Sequence, residues 1–324
     1  MFKSPDMRHR ETSILFLLFV CFYGSAQAGI AAYDISVAKD GTGNYVSVQE
    51  AINAVPDFRK KQTVIFIRNG TYREKLMVPE SKNIEFIGET VERTILTYDD
   101  FAGKKSIFGE DLGTSGSASI YIYGNNFTAR NITFENSAGP VGQAVAAFIS
   151  GDKARFFYCR FLGFQDTLYT YGKESGEYFN HCYIEGTVDF IFGSATAVFD
   201  SCTLVGKGGG YFTAASTPEG KHFGYVFLSC EIRGTPPGSY FLGRPWRPFA
   251  KTVFIRCDMG KVVNSQGWDN WRNAENEKTA YYAEYKNTGE GAVSISRVSW
   301  SHQLTDDEAR QYTLRGIFPD WNPL

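Results

Sequence analysis

Gln143, Gln165, Asp166 and Asp189 are the residues of this chain whose types and spacing could do chemistry together. They sit in three short peptides, Gln143-Ala-Val-Ala146, Gln165-Asp-Thr-Leu168 and Asp189-Phe-Ile-Phe-Gly193, with 22 residues from Gln143 to Gln165 and 23 from Asp166 to Asp189. A carbonyl flanked by two carboxylates can be attacked by one of them, kept ionised, while the other, kept protonated, gives its proton to the leaving group. Their environments must then push the two pKa values apart. Attack creates an oxyanion, and side-chain amides could donate to it, one such donor being worth roughly 3–4 kcal/mol. A further polar signal, Gly243-Arg-Pro-Trp246, lies downstream. From spacing alone, an aspartate with an arginine reads equally well as a structural ion pair, and two glutamines as a surface amide ladder.

The elements that would position these groups repeat along the chain. Phe156-Phe-Tyr-Cys-Arg-Phe161, Tyr178-Phe-Asn-His-Cys-Tyr-Ile184, Val198-Phe-Asp-Ser-Cys-Thr-Leu204, Val226-Phe-Leu-Ser-Cys-Glu-Ile232 and Val253-Phe-Ile-Arg-Cys-Asp-Met259 share one pattern. Counting from Asn131 through Cys159, Cys182, Cys202 and Cys230 to Cys257, the steps are 28, 23, 20, 28 and 27 residues, the period of a solenoid. The segments are short, aromatic and β-branched, bounded by Gly, Asn, Asp and Pro, with almost no helical periodicity between residues 83 and 262. They predict an all-β fold, a right-handed parallel β-helix. Strands of neighbouring coils would pair about 4.8 Å apart and bring Gln143, Gln165, Asp166 and Asp189 onto one patch. Short helices are expected only at the two ends as caps, one opened by Ser47-Val-Gln-Glu50 and stopped by Pro56, the other over 305–316.

Composition excludes several function classes. The 33 Lys and Arg against 35 Asp and Glu leave no polycationic face for nucleic acid or an anionic membrane. His9, His181, His222 and His302 form no ligand spacing, which argues against a zinc or Ser-His hydrolase; the two-carboxylate chemistry needs no metal, and no cofactor is expected. Basic residues up to Arg10, an apolar run from Ile14 to Tyr23 and Ala26-Gln-Ala28 predict a secretory leader over 1–28, with one domain over 29–324. The apolar run is too short to span a bilayer. An exported protein, secreted or periplasmic, is expected; a lipid anchor at Cys21 is disfavoured because bulky Val20 precedes it. Cys182 and Cys202 occupy equivalent places one coil apart and predict a single disulfide, the alternative being a ladder of five unbonded thiols in the core.

Gly70-Thr-Tyr-Arg-Glu74, Gln143-Ala-Val-Ala146, Gln165-Asp-Thr-Leu168, Asp189-Phe-Ile-Phe-Gly193 and Leu242-Gly-Arg-Pro-Trp246, in that order, resemble the five signature segments of the pectin methylesterases, or pectinesterases. The resemblance runs from Val37 to Trp321. It implies hydrolysis of methyl esters on homogalacturonan. It assigns Asp189 as nucleophile, Asp166 as general acid and base, Gln143 and Gln165 as oxyanion donors, and Arg244 as the guanidinium holding the nucleophile. Arg244 would favour the charged form of Asp189, and that anion would oppose ionisation of Asp166. Thr114 matches a substrate-binding threonine of the family. Tyr169, Phe192 and Trp246 lie within three residues of these groups, and their flat rings suit sugar faces. The long loops around 206–221 resemble bacterial members, and no inhibitor-like helical prodomain is expected. Pectin is the expected partner of a monomeric enzyme. A pectate lyase would need calcium-binding acids, and no cluster of acids surrounds Arg244. A non-catalytic glycan-binding solenoid would tolerate loss of the acid, the nucleophile or the arginine, and all are present.

Overall fold

The computed structural model describes residues 1–2 and 32–324, so nearly all of the expected leader lies outside the described residues. Every strand pairing between named strands is parallel, and the strands form three sheets of eleven, eight and seven strands. Successive coils contribute one strand to each sheet, the connectivity of a parallel β-helix. The seven-stranded sheet, which carries the site, contains Ile120–Ile122, Ala147–Ile149, Leu168–Thr170, Ile191–Gly193, Gly210–Ala215 and Tyr240–Gly243 among its strands.

The repeated sequence pattern becomes a set of columns. Phe156, Phe179, Phe199, Phe227 and Phe254 are in register on five adjacent strands of the eleven-stranded sheet. Their rings stack at 4.9, 4.7, 4.6 and 4.3 Å inside the solenoid. Stacked aromatic pairs of this kind add about 0.5–1.5 kcal/mol each beyond their burial. The residue just before each cysteine, Tyr158, His181, Ser201, Ser229 and Arg256, has φ between 52° and 55°, so at this corner of each coil a left-handed residue turns the chain sharply from one sheet to the next.

Cys159, Cys182, Cys202, Cys230 and Cys257 form a buried ladder of free thiols, which corrects the expected Cys182–Cys202 disulfide. The two do occupy equivalent places, and the Cys182 amide donates to the Cys202 sulfur at 3.4 Å. In a parallel stack, however, equivalent Cβ atoms sit about one rung apart, roughly 4.8 Å, beyond the roughly 3.5–4.5 Å of a disulfide. Each thiol instead reaches a backbone carbonyl, Cys182 that of Phe156 at 3.5 Å and Cys202 that of Phe179 at 3.4 Å.

The helix Val48–Ala54 closes the N-terminal end, with Ser47 as N-cap accepting from the Glu50 amide. Its other orphan donors are satisfied by Glu74, whose carboxylate accepts from Ser47 Oγ and from the amides of Val48 and Gln49 at 2.7–3.0 Å. The signature segment Gly70–Glu74 is thus tied to the cap. At the other end, the helix expected over 305–316 divides into two single turns, Asp306–Ala309 and Leu314–Ile317. Thr305 and Glu308 form a full capping box there. Tyr312, Ile317 and Phe318 pack along the outer face of the eleven-stranded sheet, against Tyr178, Val198 and Val226. The open end of the core is covered by Ala292, Val298 and Trp300. Arg297 and Glu284, each 3% exposed, pair beneath that cover at 2.8 Å.

Candidate active site

Register decides which of the candidate groups meet. Leu168 pairs with Ile191, and stepping back two residues on each strand makes Asp166 and Asp189 neighbours on adjacent rungs. Both precede their strands in left-handed conformation, φ 62° for Asp166 and 53° for Asp189. Asparagine and aspartate tolerate this conformation better than other non-glycine residues, and it points both carboxylates out of the stack at one corner. On the preceding rung the pairing of Ala147 with Leu168 would set Gln143 opposite Phe164. A bulge intervenes, because the amides of Ala146 and Ala147 both reach the Thr167 carbonyl, at 2.8 and 3.4 Å. The extra residue brings Gln143 opposite Gln165. Among the described residues neither side-chain amide has a hydrogen-bond partner, so both are free to donate outward. Gly193 closes the motif where only glycine fits: at φ +130° a Cβ would stand 2.0 Å from the Thr170 carbonyl oxygen.

Arg244, 55 residues beyond Asp189, reaches it with a two-pronged fork, Nε donating to Oδ1 at 2.9 Å and Nη2 to Oδ2 at 2.7 Å. The guanidinium is itself clamped between the rings of Tyr211 and Trp271, each 3.8 Å away. Asp166 has no such partner among the described residues. Burial, and after it the negative charge of Asp189, pushes the Asp166 carboxyl well above the usual carboxylate range, against a smaller opposing effect of Arg244. Burial raises Asp189 as well, but there the hydrogen bonds and charge of Arg244 pull the other way. The expected pull of Arg244 is therefore present, and burial outweighs it. The two acids are left in unequal environments, one forked by a cation and the other bare.

Gln143, Gln165, Asp166, Asp189, Arg244, Thr114, Tyr169, Phe192 and Trp246 all line one cleft of about 520 Å³. Tyr169 and Phe192 are in register on adjacent strands, face outward and stack at 4.1 Å, with the Trp246 ring 6.1 and 5.8 Å from them. The cleft therefore has a polar corner and an aromatic floor. Sequence reasoning missed Tyr211 and Trp271. Tyr211 lies one rung beyond Asp189, so extending the rung count would have reached it. Trp271 comes from a non-repetitive loop with no such signal.

A parallel β-helix with two carboxylates, an arginine fork and two amides in one aromatic cleft defines an esterase of the pectinesterase family. The profile of that family, described as Pectinesterase, matches residues 34–319, and the chain belongs to it. Pectinesterase 31 of Arabidopsis thaliana is 44% identical over 289 residues, covering 86% of this chain and 90% of that protein. A pectin methylesterase from carrot superposes with a TM-score of 0.83 at 35% identity, over 90% of this chain and 95% of its own. PemA, a pectin methylesterase from Erwinia chrysanthemi, superposes at 0.80 and 31% identity, over 91% and 99%, and a pectin methylesterase in complex with a hexasaccharide does so equally. Similarity to the plant proteins is at least as high as to the bacterial one, so the bacterial leaning read from the loops finds no support.

Proposed function

We propose that this chain hydrolyses the methyl esters of homogalacturonan, with Asp189 as nucleophile, Asp166 as general acid and base, and Gln143 and Gln165 as oxyanion donors. The observation that carries the division of labour is the fork: Arg244 grips Asp189 and leaves the adjacent Asp166 bare and buried. An Asp189 oxygen attacks the ester carbonyl carbon, and the carbonyl electrons move to an oxyanion held by the two amides. When the tetrahedral intermediate collapses, the C–O bond to methoxide breaks. Asp166 supplies the proton that makes it methanol, leaving an acyl–Asp189 anhydride. Asp166, now ionised, takes a proton from water as that water attacks the acyl carbon. The anhydride bond breaks, Asp189 departs as a carboxylate, and both aspartates return to their starting protonation. Thr114, Tyr169, Phe192 and Trp246 bind the polymer, the rings lying against sugar faces.

The protein acts as a monomer exported after removal of residues 1–28, and secreted or periplasmic. Among the described residues no helix is long and apolar enough to cross a membrane. The experiment is methanol release from highly methyl-esterified pectin by the mature chain, with a chelator present and Asp189→Ala as control. Release by the wild type alone is expected. Folded wild type that releases none over a range of pH would overturn the reading, and full turnover by Asp189→Ala would remove the nucleophile.

A further inference from the structure

Between the strands Thr94–Tyr98 and Ile120–Ile122 the chain makes an excursion fastened to the cleft. The Ala102 amide donates to the Gln143 carbonyl at 2.8 Å and the Gly113 amide to the Ala102 carbonyl at 2.9 Å. The segment leaving this base, Leu112 to Ser115, lines the cleft. From the base stands an ordered hairpin. The Leu112 amide donates to the Lys104 carbonyl at 2.9 Å, Lys105 pairs with Asp111 at 2.8 Å, and the Ser106 amide reaches Glu110 at 2.7 Å. The turn is closed by the Gly109 amide on the Ser106 carbonyl, with Gly109 at φ +85° as such a turn requires.

That turn chemistry accounts for the glycine and for nothing at its two central positions, where polar residues are usual. Here they are Ile107 and Phe108, 92% and 83% exposed. These side chains contribute almost nothing to packing, and adjacent large apolar groups on a hydrogen-bonded projection mark a contact surface. The lysines of the hairpin are neutralised, Lys104 by Asp100 at 2.7 Å and Lys105 by Asp111, so the tip offers apolar rather than cationic surface. A single antiparallel bridge, Lys105 with Asp111, holds the two arms of the hairpin below the tip.

We propose that the Ile107–Phe108 tip is a rim contact for the substrate polymer, engaging a stretch of esterified uronate residues beyond the cleft. This rests on the function proposed above. Methyl esterification masks the carboxylates of the polymer, so an esterified stretch matches an apolar tip better than the charged product does. The surface is continuous with the cleft through Leu112–Ser115, along which one polymer chain can run. Ile107 and Phe108 are thereby specificity-determining residues, acting on binding and not on the chemical step.

The test is the double variant Ile107→Ser with Phe108→Ser. A three- to tenfold rise in KM for methanol release from long, highly esterified polymer is expected, with kcat unchanged and a short esterified oligomer confined to the cleft unaffected. Phe108→Trp, which keeps a ring at the tip, retains the wild-type KM. The thermal midpoint of each variant stays within about 2 °C of wild type, because the side chains are exposed. Binding of the same polymer to the Asp189→Ala protein is expected to weaken by the same factor when the serines are added, which reads the tip without turnover. An unchanged polymer KM and affinity in the serine variant overturns the proposal and leaves the tip to another class of macromolecule. Equal weakening on polymer and oligomer also overturns it. Absence of methanol from wild type on both substrates strikes the proposed function, and the binding arm still decides the tip.

Discussion

Replacing Arg244 by lysine keeps a cation near Asp189 but removes the fork. In the native site both oxygens of a carboxylate only 7% exposed are engaged, at 2.9 and 2.7 Å, by a guanidinium held between two rings 3.8 Å on either side. A lysine ammonium can make one of those contacts and cannot stack in the same way. Losing one hydrogen bond between charged groups costs about 1.5–3 kcal/mol, and at about 1.36 kcal/mol per tenfold this is a fall in kcat between ten- and about 150-fold. Alanine is more severe, since it strands a buried carboxylate at a cost of about 3–5 kcal/mol, shared between stability and protonation of Asp189. The direction of the pH effect follows from the site. Burial already raises Asp189 and Arg244 opposes that rise, so weakening Arg244 raises it further. The nucleophile must be ionised, so the acid limb of the kcat/KM profile moves to higher pH in Arg244→Lys. Methanol release measured as a pH–rate profile, beside thermal unfolding of each variant, checks both. A lysine variant with wild-type kcat and an unmoved acid limb would refute the holding role of Arg244.

Glu177 is wholly buried, its Oε2 lacks a partner, and burial raises its carboxyl well above the usual range, with the Ser175 hydroxyl opposing. Its folded pKa therefore lies above its unfolded one. Stability is full below the unfolded pKa and is lost as pH rises toward the folded one, and Glu177→Gln should abolish that slope; parallel midpoint-versus-pH curves for the two proteins would sink the idea. The thiol ladder predicts that the mature chain reacts with no thiol reagent when native and at all five cysteines when denatured without reductant, whereas a Cys182–Cys202 bridge would leave only three. Breaking the buried pair under the C-terminal cover, by Arg297→Ala, should cost about 3–5 kcal/mol in denaturant titration, and a loss below about 1 kcal/mol would show that the pair does not hold the cover.

The solenoid was legible because its strands obey two strong local rules. Short aromatic and β-branched runs bounded by Gly, Asn, Asp and Pro mark the strands, and the pattern around Cys159, Cys182, Cys202, Cys230 and Cys257 recurs once per coil. The N-terminal cap was readable from Ser47 and Glu50, although its third participant, Glu74, follows the strand Gly70–Arg73 and bonds across 25–27 residues. The C-terminal cap was not. Residues 305–316 carry good helix-start signals, but packing of Tyr312, Ile317 and Phe318 on the outer sheet face interrupts the run and leaves two single turns.

The sequence by itself determined the rung period, the apolar columns, the fold they enforce and the set of side chains able to act, because these depend on residue types a few positions apart. Tertiary structure decided everything that depends on which rung lies over which. Coils differ in length since turns absorb extra residues, so spacing places two groups near the same corner without saying whether they meet. The register of Leu168 with Ile191 aligned Asp166 with Asp189, and a bulge at Ala146 and Ala147 aligned Gln143 with Gln165. A chain path of 55 residues delivered Arg244 to one aspartate and not the other. The same parallel stacking that brings Cys182 and Cys202 together keeps their sulfurs unbonded, because strand spacing, and not proximity in sequence, sets the distance between equivalent side chains.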